Sequence, residues 1–252
     1  QGGGKAVCVP GLNCYSCPAA SGACPIGSFQ AVVTSRDHMF SFYVVGFLLF
    51  FGALFGRFVC GWLCPFGLVQ DLLYKIPFVR KWKKLPGDRW LRYLKYVILV
   101  GFVILLPMTV LDVVGQGQPW FCKYICPSGT LFGGIPLIAA NPPLRAALSW
   151  LFAWKLGLLV FLLVLSVLVY RPFCRYLCPL GAVYSVFNPI ALYRYSVDGQ
   201  ACTQCGACQK ACPMDIPTYQ TPNSPECIRC GKCKAACPHG AICSSLGPKK
   251  KT

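Results

Sequence analysis

The chain has 252 residues, of which 56% are hydrophobic, and its 24 Lys and Arg against 7 Asp and Glu leave a formal charge of +17. This composition excludes intrinsic disorder, which needs low hydrophobicity, and it argues against an ordinary soluble globule. The 19 cysteines argue against a disulfide scaffold, because such scaffolds are short secreted domains whose cysteines do not follow metal-ligand spacing.

Three apolar stretches follow a Cys-rich N-terminal segment and are long enough to be predicted as membrane-spanning helices. They run from Met39 to Gly56, from Tyr96 to Leu111 and from Leu156 to Tyr170. Buried helices of a soluble protein are the alternative, but nothing else in the chain is available to cover three such helices. The sequence therefore predicts an α-helical integral membrane protein with three spans.

Two shorter segments lie between these spans. The segment from Phe66 to Ile76 has polar residues on one side and apolar residues on the other, so we predict an interfacial amphipathic helix. The segment from Gly129 to Ala140 is apolar but is interrupted by glycines and a proline. This interruption favours a re-entrant or interfacial segment over a fourth span.

The basic residues predict the orientation of the chain in the membrane. The side that holds residues 57–95 and 171–252 carries 19 Lys and Arg, and the side that holds residues 1–38 and 112–155 carries 5. Without the residues after Arg194 the ratio is still 12 to 5. We therefore expect the N-terminus outside and the C-terminus in the cytoplasm. Because the basic residues flank apolar runs, we expect a lipid bilayer as the partner and no nucleic acid.

A cysteine repeat marks the C-terminal part of the chain. Cys202-x2-Cys205-x2-Cys208-x3-Cys212-Pro213 recurs as Cys227-x2-Cys230-x2-Cys233-x3-Cys237-Pro238. In this spacing three thiolates hold one iron–sulfur cluster and the fourth, before proline, ligates the other cluster. We assign one 4Fe-4S cluster to Cys202, Cys205, Cys208 and Cys237, and a second to Cys227, Cys230, Cys233 and Cys212. Zinc is the alternative, but zinc ribbons use two Cys pairs separated by a longer gap.

The predicted domains follow from this change of composition. They are an extracytoplasmic Cys-rich segment (1–37), a membrane domain (38–196), an α+β two-cluster ferredoxin-like domain (197–246) and a basic tail (247–252).

A second motif, CxxxCPxG, follows each predicted span, starting at Cys60, Cys122 and Cys174, and Cys24-Pro-Ile-Gly is half of a fourth copy. Cysteines four apart on a helical turn face the same way, so each copy offers two thiolates. The proline favours a break and a new helix, whose N-terminal N–H groups suit an anionic cluster. Two thiolates do not complete a four-iron cluster, so the copies must pair.

The alternating direction of the spans predicts which copies pair. The first and third copies lie on the cytoplasmic side, where Cys60, Cys64, Cys174 and Cys178 make an inner cluster. The second copy lies outside, where Cys122 and Cys126 are completed by two N-terminal cysteines: Cys24 is preferred, and then Cys17 over Cys14.

Two other interpretations of these cysteines stay open. In the first, Cys8, Cys14, Cys17 and Cys24 hold a cluster of their own, which leaves Cys122 and Cys126 for a disulfide or a partner protein. In the second, the outer cysteines form disulfides and the inner ones are inert buried thiols. On the preferred assignment Cys8, Cys14 and Cys243 have no role.

Spans punctuated by CxxxCP copies and followed by a two-cluster ferredoxin domain resemble the membrane polyferredoxins of the NapH type and the C-terminal half of NosR-type proteins. The resemblance covers about Phe51 to Cys237. It implies a subunit of a membrane redox complex in a prokaryotic cytoplasmic membrane, with quinone, flavoprotein or cytochrome partners and no catalytic site of its own. The second CxxxCPxG copy and the N-terminal cysteines depart from the family pattern.

These features lead to one preferred function and two alternatives. The preferred function is an electron conduit with four 4Fe-4S clusters, which relays electrons between the cytoplasmic ferredoxin clusters and an extracytoplasmic or membrane partner. The first alternative is a one-sided quinol dehydrogenase subunit whose outer cysteines are structural. The second is an iron–sulfur redox sensor or membrane anchor.

Overall fold

The computed structural model describes residues 8–14, 22–33, 39–77, 81–110, 117–143 and 149–245. Its first part is mainly helical, and several helices begin at prolines that interrupt the chain. The helices are α1 (Pro25–Val33), α2 (Met39–Phe55), α3 (Phe58–Trp62), α4 (Pro65–Tyr74), α5 (Asp88–Thr109), α6 (Trp120–Tyr124), α7 (Pro127–Ala140), α8 (Trp150–Leu168), α9 (Pro172–Tyr176) and α10 (Pro179–Phe187). Helices α5 and α7 each contain a π-helical stretch, at Leu99–Leu105 and Thr130–Gly134.

Two of the described helices, α5 and α8, are long and apolar enough to cross a membrane. They begin earlier than the predicted spans, at Asp88 rather than Tyr96 and at Trp150 rather than Leu156. The apolar sequence pattern misses the start of α5 because the first turns of this helix hold charged residues. Among them, Asp88 pairs with Arg92. Helix α2 corresponds to the first predicted span and is shorter, so the three-span topology stays a prediction.

The predicted amphipathic helix is confirmed as α4, and its polar residues Gln70 and Asp71 turn towards the protein, while Lys75 directly after the helix is exposed. Its interfacial location stays a prediction. Gln70 is fully buried and Asp71 pairs with Arg171, whereas Leu68 and Leu72 are 70% and 67% exposed. Helix α8 packs against α4. A helix that buries its polar side and exposes leucines suits contact with lipid better than contact with water.

Large apolar side chains also cover the outside of the longer helices. Phe42 on α2, Trp90 on α5 and Trp150 on α8 are 76%, 81% and 85% exposed. Soluble monomers rarely expose apolar surface on this scale. Together with the two long apolar helices, this surface supports a membrane location.

The second part of the chain is a small α+β unit. Strands β1 (Tyr195–Val197) and β2 (Ile242–Ser244) pair antiparallel, and helices α11 (Ala207–Ala211) and α12 (Lys232–Ala235) pack against each other. Each of these helices follows a glycine with positive φ, Gly206 at 72° and Gly231 at 80°, a conformation that glycine adopts readily. The predicted end of the second span at Leu111 and the predicted tail (247–252) lie outside the described residues.

Candidate metal centres

The described cysteines of the predicted motifs form four groups. We name them the distal site (Cys202, Cys205, Cys208 and Cys237), the proximal site (Cys212, Cys227, Cys230 and Cys233), the inner site (Cys60, Cys64, Cys174 and Cys178) and the outer site (Cys14, Cys24, Cys122 and Cys126). The members of the distal, proximal and outer sites line three cavities. The inner thiols are all buried and lie close enough to repel one another when charged. Ligation of a cluster by these groups stays a prediction.

The CPxG sequences produce the helix break and restart that the proline predicts. Helices α1, α4, α7 and α10 begin at the prolines of the four CPxG sequences. Cys64, Cys126 and Cys178 are extended and cap these helices, with ψ of 114°, 108° and 115°. The N–H of Gly181 points to Cys178 Sγ, at 3.4 Å. The second cysteine of each copy therefore caps a new helix, rather than sharing a helical turn with the first.

The inner site is closed to solvent and surrounded by cations. Burial raises the pKa of Cys60 to about 11 and that of Cys174 to about 12, against the opposing effect of Arg57 and Arg171 on Cys60 and of Arg171 on Cys174. Gln70 Nε2 donates a hydrogen bond to Cys174 Sγ at 3.2 Å. Four such thiols are ionised together only when a metal centre shares their charge.

The outer site opens onto a cavity of about 530 Å³ between α1, α6, α7 and the start of α8. Burial raises the pKa of Cys24 to about 12 and also raises that of Cys126. Lys155 Nζ donates to the carbonyl oxygen of Cys122 at 3.2 Å. The Cys122 thiol donates to Gln30 Oε1 at 3.2 Å, and Gln30 Nε2 donates to the Phe102 carbonyl.

The remaining cysteines bear on the alternative interpretations. Cys17, the residue preferred from the sequence, lies outside the described residues, while Cys14 lines the outer cavity together with Cys122. Cys8 is buried, with its thiol 3.9 Å from Ser28 Oγ, and Cys243 lies on β2. No disulfide joins any of the cysteines that the structure describes.

The distal and proximal sites differ in exposure. Cys205 of the distal site is exposed, and hydrogen bonding from the Ala207 N–H lowers the pKa of its thiol. In the proximal site burial raises the pKa of Cys227 to about 11 and that of Cys233 to about 12. His239 also lines the distal cavity. The distal site is therefore the more exposed to solvent of the two, and the proximal site is the more buried.

All four groups suit 4Fe-4S clusters. Each group supplies four thiols, which is the ligand set of a 4Fe-4S cluster. Around the inner site the buried cations Arg57 and Lys95 share one carboxylate, Glu226. Buried charges need partners, and the thiolates of an anionic cluster would provide them.

Close contacts link neighbouring sites. Cys208 and Cys237 of the distal site pack in one apolar cluster with Cys233 of the proximal site. A Cβ on Gly61, between the inner cysteines of the first copy, would lie 2.5 Å from the carbonyl oxygen of Ile228 in the proximal site. A Cβ on Gly11 would lie 3.3 Å from Cys64 Cα, and three residues later Cys14 lies in the outer cavity. Three extended residues span at most about 11 Å, so the inner and outer sites are neighbours.

Comparison with known families finds four matching stretches of the sequence. Residues 37–86, 94–139 and 147–191 each match the family described as 4Fe-4S binding domain, and each range contains one CxxxCPxG copy. Residues 194–238 match the family described as 4Fe-4S dicluster domain. The triple match confirms that the predicted copies are internal repeats. No solved structure matches the chain.

Several curated proteins are similar to part of the chain. The methylamine utilization ferredoxin-type protein MauN of Paracoccus denitrificans is 31% identical over 70% of this chain and 56% of its own length. The putative electron transport protein YccM of Escherichia coli is 26% identical over 63% of this chain and 42% of its own. The regulatory protein NosR of Stutzerimonas stutzeri is 31% identical over 63% of this chain and 20% of its own.

The chain spans about three fifths or less of the length of the curated relatives it matches. The 4Fe-4S binding domain matches cover more than half of its residues, and the dicluster match covers the ferredoxin repeat. The chain therefore belongs to the 4Fe-4S binding domain family, among iron–sulfur electron-transfer proteins of the membrane polyferredoxin type.

Proposed function

We propose that the chain is a membrane-bound electron-transfer subunit in which four 4Fe-4S clusters occupy the distal, proximal, inner and outer sites. Each cluster takes up and releases one electron at a time. The observation that carries this proposal is the set of four four-cysteine groups. The proximal group packs against the distal group and against the inner copy, and Gly11, three residues before Cys14, lies beside Cys64. We assign Cys14 as the fourth outer ligand because it lines the same cavity as the other three outer cysteines.

The spacing of the inner and outer sites supports short transfer steps. On α5, Lys95 pairs with Glu226 beside the inner site, and the Phe102 carbonyl binds Gln30 beside the outer site. Seven helical residues correspond to a rise of about 10 Å, well below the roughly 30 Å of a bilayer core. Tyr184 is buried beside both sites, and its hydroxyl donates to the Pro10 carbonyl at 3.1 Å. Side chains thus fill the space between the sites and exclude water.

The direction across the membrane follows from the charge distribution. The distal and proximal sites are cytoplasmic and the outer site lies towards the extracytoplasmic side, because the cytoplasmic side carries 19 of the 24 Lys and Arg. Exposed Cys205 makes the distal site the contact for a soluble redox partner. The partners are other subunits of a membrane redox complex.

A membrane-soluble quinone is a second candidate for the partner at the other end of the route. The outer cavity, about 530 Å³, has apolar lining residues such as Leu12, Phe121 and Leu137, and pockets of this size hold small ligands. In this form the protein acts as a one-sided quinol dehydrogenase subunit whose outer cysteines are structural and hold no cluster.

Cysteine replacement tests the proposal. We expect that Cys60→Ser with Cys174→Ser, and separately Cys122→Ser with Cys126→Ser, each lowers the iron content by about a quarter and removes one signal from an EPR-monitored titration. Cys243→Ser is the matched control, because Cys243 lies on β2 and lines none of the three cysteine-lined cavities. Full iron content in either double variant contradicts the proposal.

A second measurement separates the two candidate partners. In sealed vesicles, reduction of an impermeant dye on the outside by electrons supplied at the distal site supports an extracytoplasmic partner. Quinone-dependent oxidation of the clusters without dye reduction supports the quinone.

A further inference from the structure

Two of the three CxxxCPxG copies carry an arginine three residues before their first cysteine. Arg57 precedes Cys60 and Arg171 precedes Cys174, whereas Pro119 stands at this position before Cys122. Both arginines are buried, with 0% and 1% of their surface exposed. The arginine therefore distinguishes the two inner copies from the outer one.

Each arginine binds the backbone of the other copy. Arg57 Nη2 donates to the carbonyl oxygen of Cys174 at 2.9 Å. Arg171 Nη1 donates to the carbonyl oxygen of Cys60, and its Nη2 donates to that of Gly61 at 2.9 Å. The first and third copies are thus joined by reciprocal hydrogen bonds from charged donors, which are stronger than those from neutral donors.

The glycine that ends each of the two inner motifs lies beside the arginine of the other copy and the carbonyl oxygen of its own first cysteine. A Cβ on Gly67 would lie 3.2 Å from Arg171 Nη1, and a Cβ on Gly181 would lie 3.5 Å from Arg57 Nη2. In the second copy a Cβ on Gly129 would instead meet Cys14 Sγ, at 3.7 Å. The same motif position thus faces an arginine in the inner copies and a cysteine in the outer copy.

Acidic partners hold both guanidinium groups in place. The Nε of Arg171 donates to Asp71 Oδ1 at 2.6 Å. The backbone of Arg171 has φ of 48°, a conformation that residues other than glycine rarely adopt. Arg57 Nη1 contacts Glu226 Oε2 at 2.7 Å. Glu226 directly precedes Cys227 of the proximal site. Arg57 therefore contacts both the backbone of the inner site and the residue next to a proximal cysteine.

We propose that Arg57 and Arg171 form a reciprocal clamp that joins the two inner copies and raises the reduction potential of the cluster they hold. Arg57 also fixes that cluster relative to the proximal site. Positive charge in a buried site favours the more negatively charged reduced state of a cluster. Among the described residues that line the outer cavity, the one cation is Lys155, which donates to the carbonyl of Cys122, so the outer potential lacks the contribution of a buried arginine pair. The proposal rests on the proposed function, because it requires a cluster at the inner site.

Arginine replacement followed by redox titration tests the clamp. We expect Arg57→Gln and Arg171→Gln each to lower the reduced-to-oxidised ratio of the inner cluster about tenfold at a given potential, a shift of about 59 mV for one electron. Arg57→Lys and Arg171→Lys keep the charge, so their shifts are smaller. The readouts are the EPR-monitored potential of each cluster and the iron content.

Arg175→Gln is the matched control for losing a buried arginine. Arg175 follows Cys174 directly, but it pairs with Asp88 and donates to the Lys83 carbonyl. If a Gln variant loses the EPR signal of the inner cluster and no other signal, this loss supports the clamp. The reduction potential of the inner cluster is then measured in the corresponding Lys variant. Full iron content with an unchanged inner potential in both Gln variants overturns it, as does an equal shift in Arg175→Gln.

The cysteine variants separate failure of this inference from failure of the proposed function. If Cys60→Ser with Cys174→Ser removes no cluster, the inner site itself is wrong. If that variant removes the inner signal while the arginine variants leave its potential unchanged, only the clamp is wrong.

Discussion

The inner and outer sites use the same motif in different surroundings. At the inner site two complete copies meet, with buried Arg57, Arg171 and Lys95 around them. At the outer site one copy meets a half copy and the segment that carries Cys14, beside a cavity of about 530 Å³. The motif sets the local backbone, a cysteine that caps a new helix, while the neighbouring elements set charge and solvent access.

The two sites also differ in what they contact next. Helix α3 of the first copy packs on the proximal site through Gly61 and through Trp62, whose Nε1 lies 3.5 Å from the Arg229 carbonyl. The outer site faces its cavity instead. A cluster in the middle of an electron relay needs a neighbouring cluster on each side, whereas a cluster at the end must be accessible to a partner.

The largest difference should come from removing the carboxylate that the inner cations share. Glu226→Gln leaves Arg57 and Lys95 without their acidic partner, so we expect a loss of roughly 3–5 kcal/mol in unfolding free energy. Asp215→Asn is the control, because Lys84, the partner of Asp215, is half exposed and such pairs contribute about 0–1 kcal/mol. Denaturant unfolding in detergent measures both, and equal losses would contradict the prediction.

The same carboxylate predicts a pH dependence. Although burial opposes ionisation, Arg57 and Lys95 hold the pKa of Glu226 at about 2, below its unfolded value near 4.3. Its stabilising contribution is therefore complete above the unfolded pKa and is lost as the pH falls towards 2. Unfolding free energies measured from pH 6 downwards should converge between the unmodified protein and Glu226→Gln. Parallel curves would show that the pKa of Glu226 is the same in the folded and the unfolded protein.

A smaller effect should follow from filling the contact between the inner and proximal sites. In Gly61→Ala the added Cβ meets the Ile228 carbonyl at 2.5 Å, so we expect about 1–3 kcal/mol of destabilisation. Gly129→Ala at the outer site adds a Cβ at an ordinary distance of 3.7 Å from Cys14 Sγ and should cost less. Thermal unfolding of the two variants compares them. The close contact is refuted if Gly61→Ala is as stable as Gly129→Ala.

The smallest effect concerns the two buried glutamines. Gln70 donates its amide N–H to Cys174 Sγ, so Gln70→Leu should lower the potential of the inner cluster by the equivalent of about 1 kcal/mol, roughly fivefold in the redox ratio. Gln30 turns its oxygen to Cys122 and donates to Phe102, so Gln30→Leu should not lower the outer potential. Redox titration measures both, and a lowered outer potential would contradict this assignment.

Much of the candidate site follows from spacing along the chain. The ferredoxin spacing predicts the two groups around the distal and proximal cavities, and the CPxG sequence predicts a helix that begins at its proline. The alternation of the apolar stretches predicts that Cys60 and Cys174 belong to one site. These features are local or follow from chain direction, so residue order is sufficient to predict them. The domain boundaries (1–37, 38–196, 197–246 and 247–252) stay predictions.

Only the tertiary structure identifies the contacts between residues that are far apart in the sequence. Amphipathicity alone does not say whether the polar face of α4 meets water or protein, and Gln70 and Asp71 turn inward because α8 and Arg171 cover them. The sequence prediction prefers Cys17 over Cys14. Cys17 lies outside the described residues, whereas backbone contacts from Gly11 onward bring Cys14 into the outer cavity. Spacing defines which residues can share a centre, and packing of separate elements selects the charges that surround it.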